Sequence, residues 1–296
     1  MKLDIRYRCS FEYDSLVRES QNELRAAPIS DERQSVLSYK VTSFPAARFF
    51  SFEDYWGTRV DAFGVREPHI YIEVVAEATV ETHPTPMLTA SADFKDLQDL
   101  DFLAAHFEYL ERTPHVDWDG SIAAEARRQL EIAGPDVVSV VLAIHRRAGG
   151  LLSYQPGTTY VGVPVVELIA RGQGVCQDYA HLAVAMCRSV GIPARYVSGY
   201  LFTDDDAVGD DTDTDVVQVQ THAWFEAAIP GVGWLALDPT NRQEVGLRHV
   251  KIGHGRDYDD VPPLRGVYTG ATNTDLQVAV EMRRLSSQTA AQQQQQ

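Results

Sequence analysis

Cys176 opens the most chemically suggestive stretch of the chain, RGQGVCQDYAHLAVAMCRSVG at residues 171–191. Gly172 and Gly174 bracket a turn. After the cysteine, Ala180, Leu182, Ala183, Ala185, Met186 and Val190 recur as the apolar members of a helix that Gly191 and Pro193 end. A thiol in the first turn of a helix meets the positive end of the macrodipole and unpaired backbone N–H groups. Both favour thiolate, the nucleophilic form, and the same N–H groups can hold a developing oxyanion. A cysteine at a helix start is more often a packing residue, so its partners decide. A thiol nucleophile needs a base, usually histidine, and a group that orients that base. Of the nine histidines, only His222 sits in an apolar strand beside an aromatic pair, in THAWFE. Sixteen residues on, the run WLALDPTN ends in Asp238 and Pro239, and proline cannot extend a ladder. The intervening IPGVG reads as a hairpin turn, which pairs His222 and Asp238 across adjacent strands. His181 points away from Cys176 on the helix and reads as a packing or supporting residue. Cys187, mid-helix, and Cys9, in a strand, read as inert packing thiols.

The elements that must position these groups follow from periodicity. Residues 1–84 alternate apolar and polar positions in six or seven short runs, among them 35–44, 48–55, 59–65 and 69–82, broken by Pro28, Pro45, Gly57, Gly64 and Pro68. That pattern predicts a small antiparallel β-sandwich. Pro84 and Pro86 mark a boundary, after which the period becomes helical at 94–110, at 122–132 and again beyond Pro135. A short strand near 151–154, a helix ending near Gly172 and the nucleophile helix at 175–190 come next. Strands at 194–202, 218–229 and 234–237 start an antiparallel sheet. The expected division is therefore 1–84 as a β domain, 85–285 as a catalytic domain, and 286–296 as a disordered polar tail.

Composition narrows the classes of function. With 44% hydrophobic and 23% charged residues, a disordered or fibrous chain is excluded. Lys and Arg number 26 against 42 Asp and Glu, a net charge of −16, which argues against nucleic acid or an anionic membrane as partner. Seven aspartates fall in the thirteen residues TDDDAVGDDTDTD, a solvated loop whose spacing does not follow a calcium-binding EF-hand. Three cysteines with no CxxC pair exclude a disulfide scaffold and point to a reducing compartment. The N-terminus lacks the apolar run of a signal peptide, and no stretch reaches the roughly 18 apolar residues of a membrane span, so a cytoplasmic location is expected. No metal or organic cofactor is expected.

The order of a cysteine on a helix, a histidine on a strand and an aspartate on the next strand resembles the transglutaminase-like superfamily within the papain-like fold. The wording is similar to its bacterial members at GVCQDYAHL, ARYVSGYL, THAWFEA and LALDPTN, and again at GRDYDDVPPLRGVYTG, residues 255–270. The N-terminal sandwich is similar to the domain preceding the core in those proteins. The resemblance implies an α+β protein, with a papain-like/transglutaminase-like core preceded by an antiparallel β-sandwich. It implies Cys176 as nucleophile, His222 as general base and acid, and Asp238 as orienter, with a thioester on Cys176. Water resolving that thioester makes an amide hydrolase acting on a peptide or protein; an amine makes a transglutaminase-type acyl transferase. A binding module that merely kept the fold has no need of all three residues. One departure concerns the oxyanion. Papain-type enzymes place a glutamine six positions before the cysteine, where this chain has Ala170. The backbone N–H of Cys176 is then the main donor, with Gln173 and Tyr154 as side-chain candidates. Trp224, Asp257, Tyr258 and Asp260 are candidate cleft residues. Substrate identity and oligomeric state do not follow from the sequence.

Overall fold

Strict alternation makes the first strands. In β1, Lys2–Val17, the buried positions are Leu3, Ile5, Tyr7, Cys9, Tyr13 and Val17, all on one face of a strand with period two. The strands β2 (Glu19–Leu24), β3 (Gln34–Phe44), β4 (Phe49–Glu53), β5 (Arg59–Val65) and β6 (His69–Thr82) follow. A computed structural model describes residues 1–85, 91–157, 163–203, 216–219 and 221–285. The aspartate-rich segment and the glutamine tail lie outside the described residues. Strand β1, at 16 residues, is longer than the short strands expected, whereas β6 has the bounds 69–82 read from the sequence.

Helices come next: α1 (Leu100–His106), α2 (Gly120–Ala133), α3 (Val137–Leu151), α4 (Val165–Arg171) and α5 (Cys176–Ser189). Two-residue strands β7 (Ser153–Tyr154) and β8 (Gln173–Gly174) flank α4. The helical period read at 94–110 resolves into a seven-residue α1 between two 3-10 turns. Asp99 stops continuity there, because its side chain accepts from the N–H groups of Asp101 and Phe102 and starts a new helix. Aspartates do the same at α2, where Asp119 caps Ser121 and Ile122, and at α3, where Asp136 caps Ser139.

The C-terminal half supplies β9 (Ala194–Leu201), β10 (Val216–Val219), β11 (Thr221–Ile229), β12 (Gly233–Asp238), β13 (Gln243–Glu244), β14 (His249–Gly255), β15 (Leu264–Thr269) and β16 (Thr274–Arg284). One five-stranded antiparallel sheet runs β13-β12-β11-β9-β14. The helix α5 lies on it, with α2 and α3 packed outside. Leu182, Ala183 and Met186 of α5 share one core with Val140 and Ile144 of α3 and with Phe225 and Leu237 of the sheet.

Long-range pairing departs from the expected layout. The strand read at 218–229 is two strands in different sheets: β10 pairs with β16, whereas β11 pairs with β9 and β12. Strands β16 and β10 extend the sheet of β1, β6 and β3, while β15 pairs with β2 beside β5 and β4. The β layers begun by residues 1–84 are thus completed by residues 216–219 and 264–284. No helix is long and apolar enough to cross a membrane among the described residues.

Two neighbouring glycines on α3 separate packing from propensity. A Cβ on Gly149 would meet the carbonyl oxygen of Pro239 at 2.6 Å, whereas a Cβ on Gly150 meets nothing within 4 Å. Gly150→Ala should therefore stabilise by about 0.5–1 kcal/mol through helix propensity. Gly149→Ala should cost about 1–3 kcal/mol by overpacking against the turn after β12. Urea midpoints of the two variants check this; equal effects would contradict the close approach of α3 to Pro239.

Candidate active site

The thiol is set by a tight turn. Asp178 is 2% exposed and its Oδ2 accepts from the backbone N–H of Val175 at 2.8 Å, tying the first turn of α5 to the residue before it. A Cβ on Gly174 would meet the Asp178 Cβ at 2.9 Å, so glycine is what lets the chain enter α5 this closely. Strand β7 pairs in parallel with β8, Tyr154 opposite Gly174, which brings Tyr154 beside the thiol. Cys176 is half-buried and packs with Ala180, Tyr196, Ala223, Val261 and Tyr258.

His222 lies on β11 directly opposite Gly199 of β9. Gly199 has no room for a side chain, because the Val250 carbonyl and the Trp224 indole fill the space a Cβ would occupy. On the other side, β12 pairs with β11, Phe225 opposite Leu237, so Asp238 stands level with Trp224 and diagonal to His222. The strands are adjacent as expected, while the two residues are offset along the ladder. The His222 ring donates from Nε2 to Asp238 Oδ2 at 2.8 Å. The Cys176 sulfur is close enough to favour the charged form of the ring. With Nε2 engaged by the carboxylate, Nδ1 is the ring nitrogen that remains to exchange a proton with the thiol.

Asp238 is 0% exposed, and its charge is held by donors. Oδ1 accepts from the N–H groups of Thr240 at 3.0 Å and Asn241 at 3.2 Å. Oδ2 accepts from His222, from Asn241 Nδ2 at 2.7 Å and from His249 Nε2 at 3.2 Å. From α3, His145 Nε2 donates to the Asp238 carbonyl at 2.9 Å. Burial pushes the Asp238 carboxyl up, but the hydrogen bonds from His222 and His249 outweigh it and hold the group well below the usual carboxylate range. For His222, burial opposes the charged ring, yet Asp238 and Cys176 overcome it and raise the imidazole to about 10.

The other cysteines behave as expected of packing thiols. Burial raises Cys9 to about 12 and pushes Cys187 up further. Tyr154 is half-exposed, and partial burial followed by the nearby Cys176 raises its phenol, which places its ring within electrostatic reach of the sulfur. Gln173 is exposed on β8.

The remaining sequence candidates divide. Trp224 is 1% exposed and packs with Val197, Ala236 and Val245. It is a core support under His222, ring centroids 6.2 Å apart, and not a cleft wall. Asp257 is 3% exposed, and its Oδ1 accepts from Asp259 N at 2.9 Å, capping the turn at 258–260. Asp260 is bound to the Arg256 guanidinium at 2.9 Å, so it braces the same turn. Tyr258 is the member of that segment that packs in the Cys176 cluster. His181 accepts from Tyr258 N at 3.2 Å and stacks on His115, so it fastens the segment to α5 as a supporting residue.

Three residues that touch Asp238 are not singled out from the sequence: Asn241, His145 and His249. Only Asn241 falls in a motif, DPTN, and its asparagine three residues past the aspartate is a turn-forming pattern that could have been read. The donor atoms of His222, Asp238 and His249 lie within 4.8 Å of one another, close enough for a metal ion. The Asn241 amide already points a proton at the shared carboxylate oxygen, which suits a carboxylate collecting hydrogen bonds better than one ligating a cation.

Comparison with known proteins bears on the fold and the site together. Residues 126–239 match the transglutaminase-like superfamily core, and residues 3–81 match the bacterial transglutaminase-like N-terminal region. The chain is 37% identical over 285 residues to an uncharacterized protein of Mycobacterium leprae, covering 96% of this chain and 99% of that one. A stretch of 99 residues, 31% of this chain and 14% of the relative, is 37% identical to a protein-glutamine gamma-glutamyltransferase of Pseudomonas aeruginosa. Among solved structures, a cysteine-protease candidate from Cytophaga hutchinsonii superposes with a TM-score of 0.72 at 24% identity, covering 95% of this chain and 90% of that one.

The hydrogen-bonded trio makes a titration prediction. A histidine raised above its unfolded value keeps its proton, and the stability this contributes, up to the folded value. That contribution is full below about 6.5 and fades as pH rises toward about 10. In 15N NMR of the histidine rings, His222 should titrate near 10, and Asp238→Asn should move it down toward the ordinary value. A wild-type His222 that titrates near 6.5 would contradict the buried pair.

Proposed function

The chain belongs to the transglutaminase-like superfamily, and from that premise we propose that it is a cysteine-dependent enzyme that hydrolyses an amide bond of a peptide or protein through a thioester on Cys176. The observation that carries this reading is the His222 ring, bonded through Nε2 to a fully buried carboxylate and lying within electrostatic reach of the Cys176 sulfur.

In the proposed cycle the Cys176 proton resides on His222 Nδ1, leaving thiolate and imidazolium. The sulfur attacks the substrate carbonyl carbon, and the carbonyl electron pair moves onto oxygen. The backbone N–H of Cys176 at the start of α5 receives that oxyanion, with the Tyr154 hydroxyl as the side-chain donor within reach. As the tetrahedral intermediate collapses, the C–N bond breaks and His222 passes its proton to the departing amine. His222, now neutral, takes a proton from water, whose oxygen attacks the thioester. The second tetrahedral intermediate collapses with cleavage of the C–S bond, releasing the acid and leaving Cys176 thiolate beside protonated His222. Asp238 keeps its charge throughout and holds the ring in one tautomer and orientation. The chemistry balances without a cofactor.

An amine in place of water would give acyl transfer. The name of the Pseudomonas aeruginosa relative favours that second reading, over the 99 residues the two chains share. The three free cysteines are what support a reducing, cytoplasmic setting. The net charge of −16 argues against nucleic acid or an anionic membrane as partner.

Purified protein incubated with glutaminyl peptides and a labelled primary amine separates the readings. Hydrolysis predicts ammonia release with little amine incorporated at modest amine concentration, and loss of all turnover in Cys176→Ala. Dominant amine incorporation would select the transferase. Asp238→Asn should lower turnover by several orders of magnitude while leaving the fold intact, because the ring loses its fixed tautomer; unchanged turnover would remove Asp238 from the site.

A further inference from the structure

We propose that His249 is a positioning residue of this site: a neutral histidine from β14 that fixes the carboxylate of Asp238 from outside its own turn. The inference rests on the proposed Cys176–His222–Asp238 chemistry and extends it by one residue.

The bonding pattern fixes the state of the ring. The backbone N–H of Gly246 donates to His249 Nδ1 at 3.2 Å, so Nδ1 is the acceptor and the proton of the neutral ring sits on Nε2. That Nε2–H donates to Asp238 Oδ2, the same oxygen that receives His222. The His249 side chain is 2% exposed, so water does not compete for either nitrogen. Burial, with the nearby His222 charge opposing a second proton, lowers its basicity and keeps it neutral.

Neutrality matters for function. A cationic donor here would compete with the His222 imidazolium for the carboxylate charge. A neutral N–H holds the oxygen in place and leaves that charge to His222. The support is also rigid. Asn241, Thr240 and their backbone belong to the same turn as Asp238 and move with it. His249 arrives on β14, locked to β9 by the pairing of His249 with Leu201 and of Val250 with Tyr200. Strand β9 is in turn paired with β11, His222 opposite Gly199. Asp238 is therefore referenced to the strand that carries its partner. The Trp224 indole packs edge-on against the His249 ring, centroids 5.4 Å apart at 80°, and closes the remaining side.

Two substitutions divide the two bonds of this ring. His249→Gln puts an amide N–H where Nε2 stands and removes the acceptor for Gly246. His249→Asn keeps an acceptor where Nδ1 stands and removes the donor to Asp238. The readout is the second-order rate of Cys176 alkylation by iodoacetamide near neutral pH, which needs no known substrate. Peptide mapping separates Cys176 from Cys9 and Cys187. Loss of one hydrogen bond to a charged group predicts alkylation about tenfold slower in His249→Asn, with His249→Gln within about threefold of wild type. Equal rates in both variants, whether fast or slow, or a slower His249→Gln, would overturn the proposal. If either variant fails to fold, 15N NMR of the wild-type His249 ring decides, since a proton found on Nδ1 overturns it as well. Asp238→Asn run alongside keeps the two readings apart. If that variant alkylates at the wild-type rate, the catalytic reading itself fails; if it slows while His249→Asn does not, only the role of His249 falls.

Discussion

Asp238 carries a charge where water does not reach, and much of the C-terminal half is arranged around that fact. Burying an ionised carboxylate without partners costs several kcal/mol, so a fold that keeps one must surround it with donors. Here two backbone N–H groups, one amide and two imidazoles converge on it. They come from the turn after β12, from β11 and from β14, so satisfying one side chain fixes the relative position of three elements. Removing a partner from such a site costs about 3–5 kcal/mol, far more than a surface pair returns. The pair of His222 and Asp238 is therefore a rigid reference point against which a softer thiol can be aligned.

Close packing transmits that rigidity. Gly149 lets α3 reach the Pro239 carbonyl, and Arg242 donates to the Gly149 carbonyl from the other side, so the Asp238 turn is clamped to a core helix. Gly199 yields its space to Trp224, which underlies both imidazoles. The segment at 255–260 is fastened to α5 through His181 and to its own turn through Asp257 and Asp260, leaving Tyr258 as its contribution to the wall beside Cys176. A second buried cluster, Glu226 with Lys251 and Arg195, ties β11, β14 and β9 together one step further along.

What could be read from the sequence was local. The strand at 69–82 was legible to the residue, because it runs between Pro68 and Pro84 and buries every second position from Ile72 to Thr82. Cys176, His222 and Asp238 stood out because each sits at the end of an apolar element, where its type is unexpected. The contacts that complete the site were not legible. His249 reaches Asp238 only through the register across β9, and no window around HVKIGHG encodes that. Strands β15 and β16 were hidden as members of the N-terminal layers for the same reason: their partners lie more than two hundred residues away in sequence. Trp224 shows the limit from the other direction. An aromatic two residues from a candidate site histidine suits either a cleft or a core, and only burial decides.

The central claim is that Cys176 forms the covalent intermediate. Acid-quenched reactions with a peptide mixture, digested and read by mass spectrometry, test it directly. The account predicts an acyl mass increment on the peptide carrying Cys176, released by hydroxylamine, with none on Cys9 or Cys187 and none in Cys176→Ala. Product formation that continues in Cys176→Ala, or an acyl group found on another residue, would contradict it.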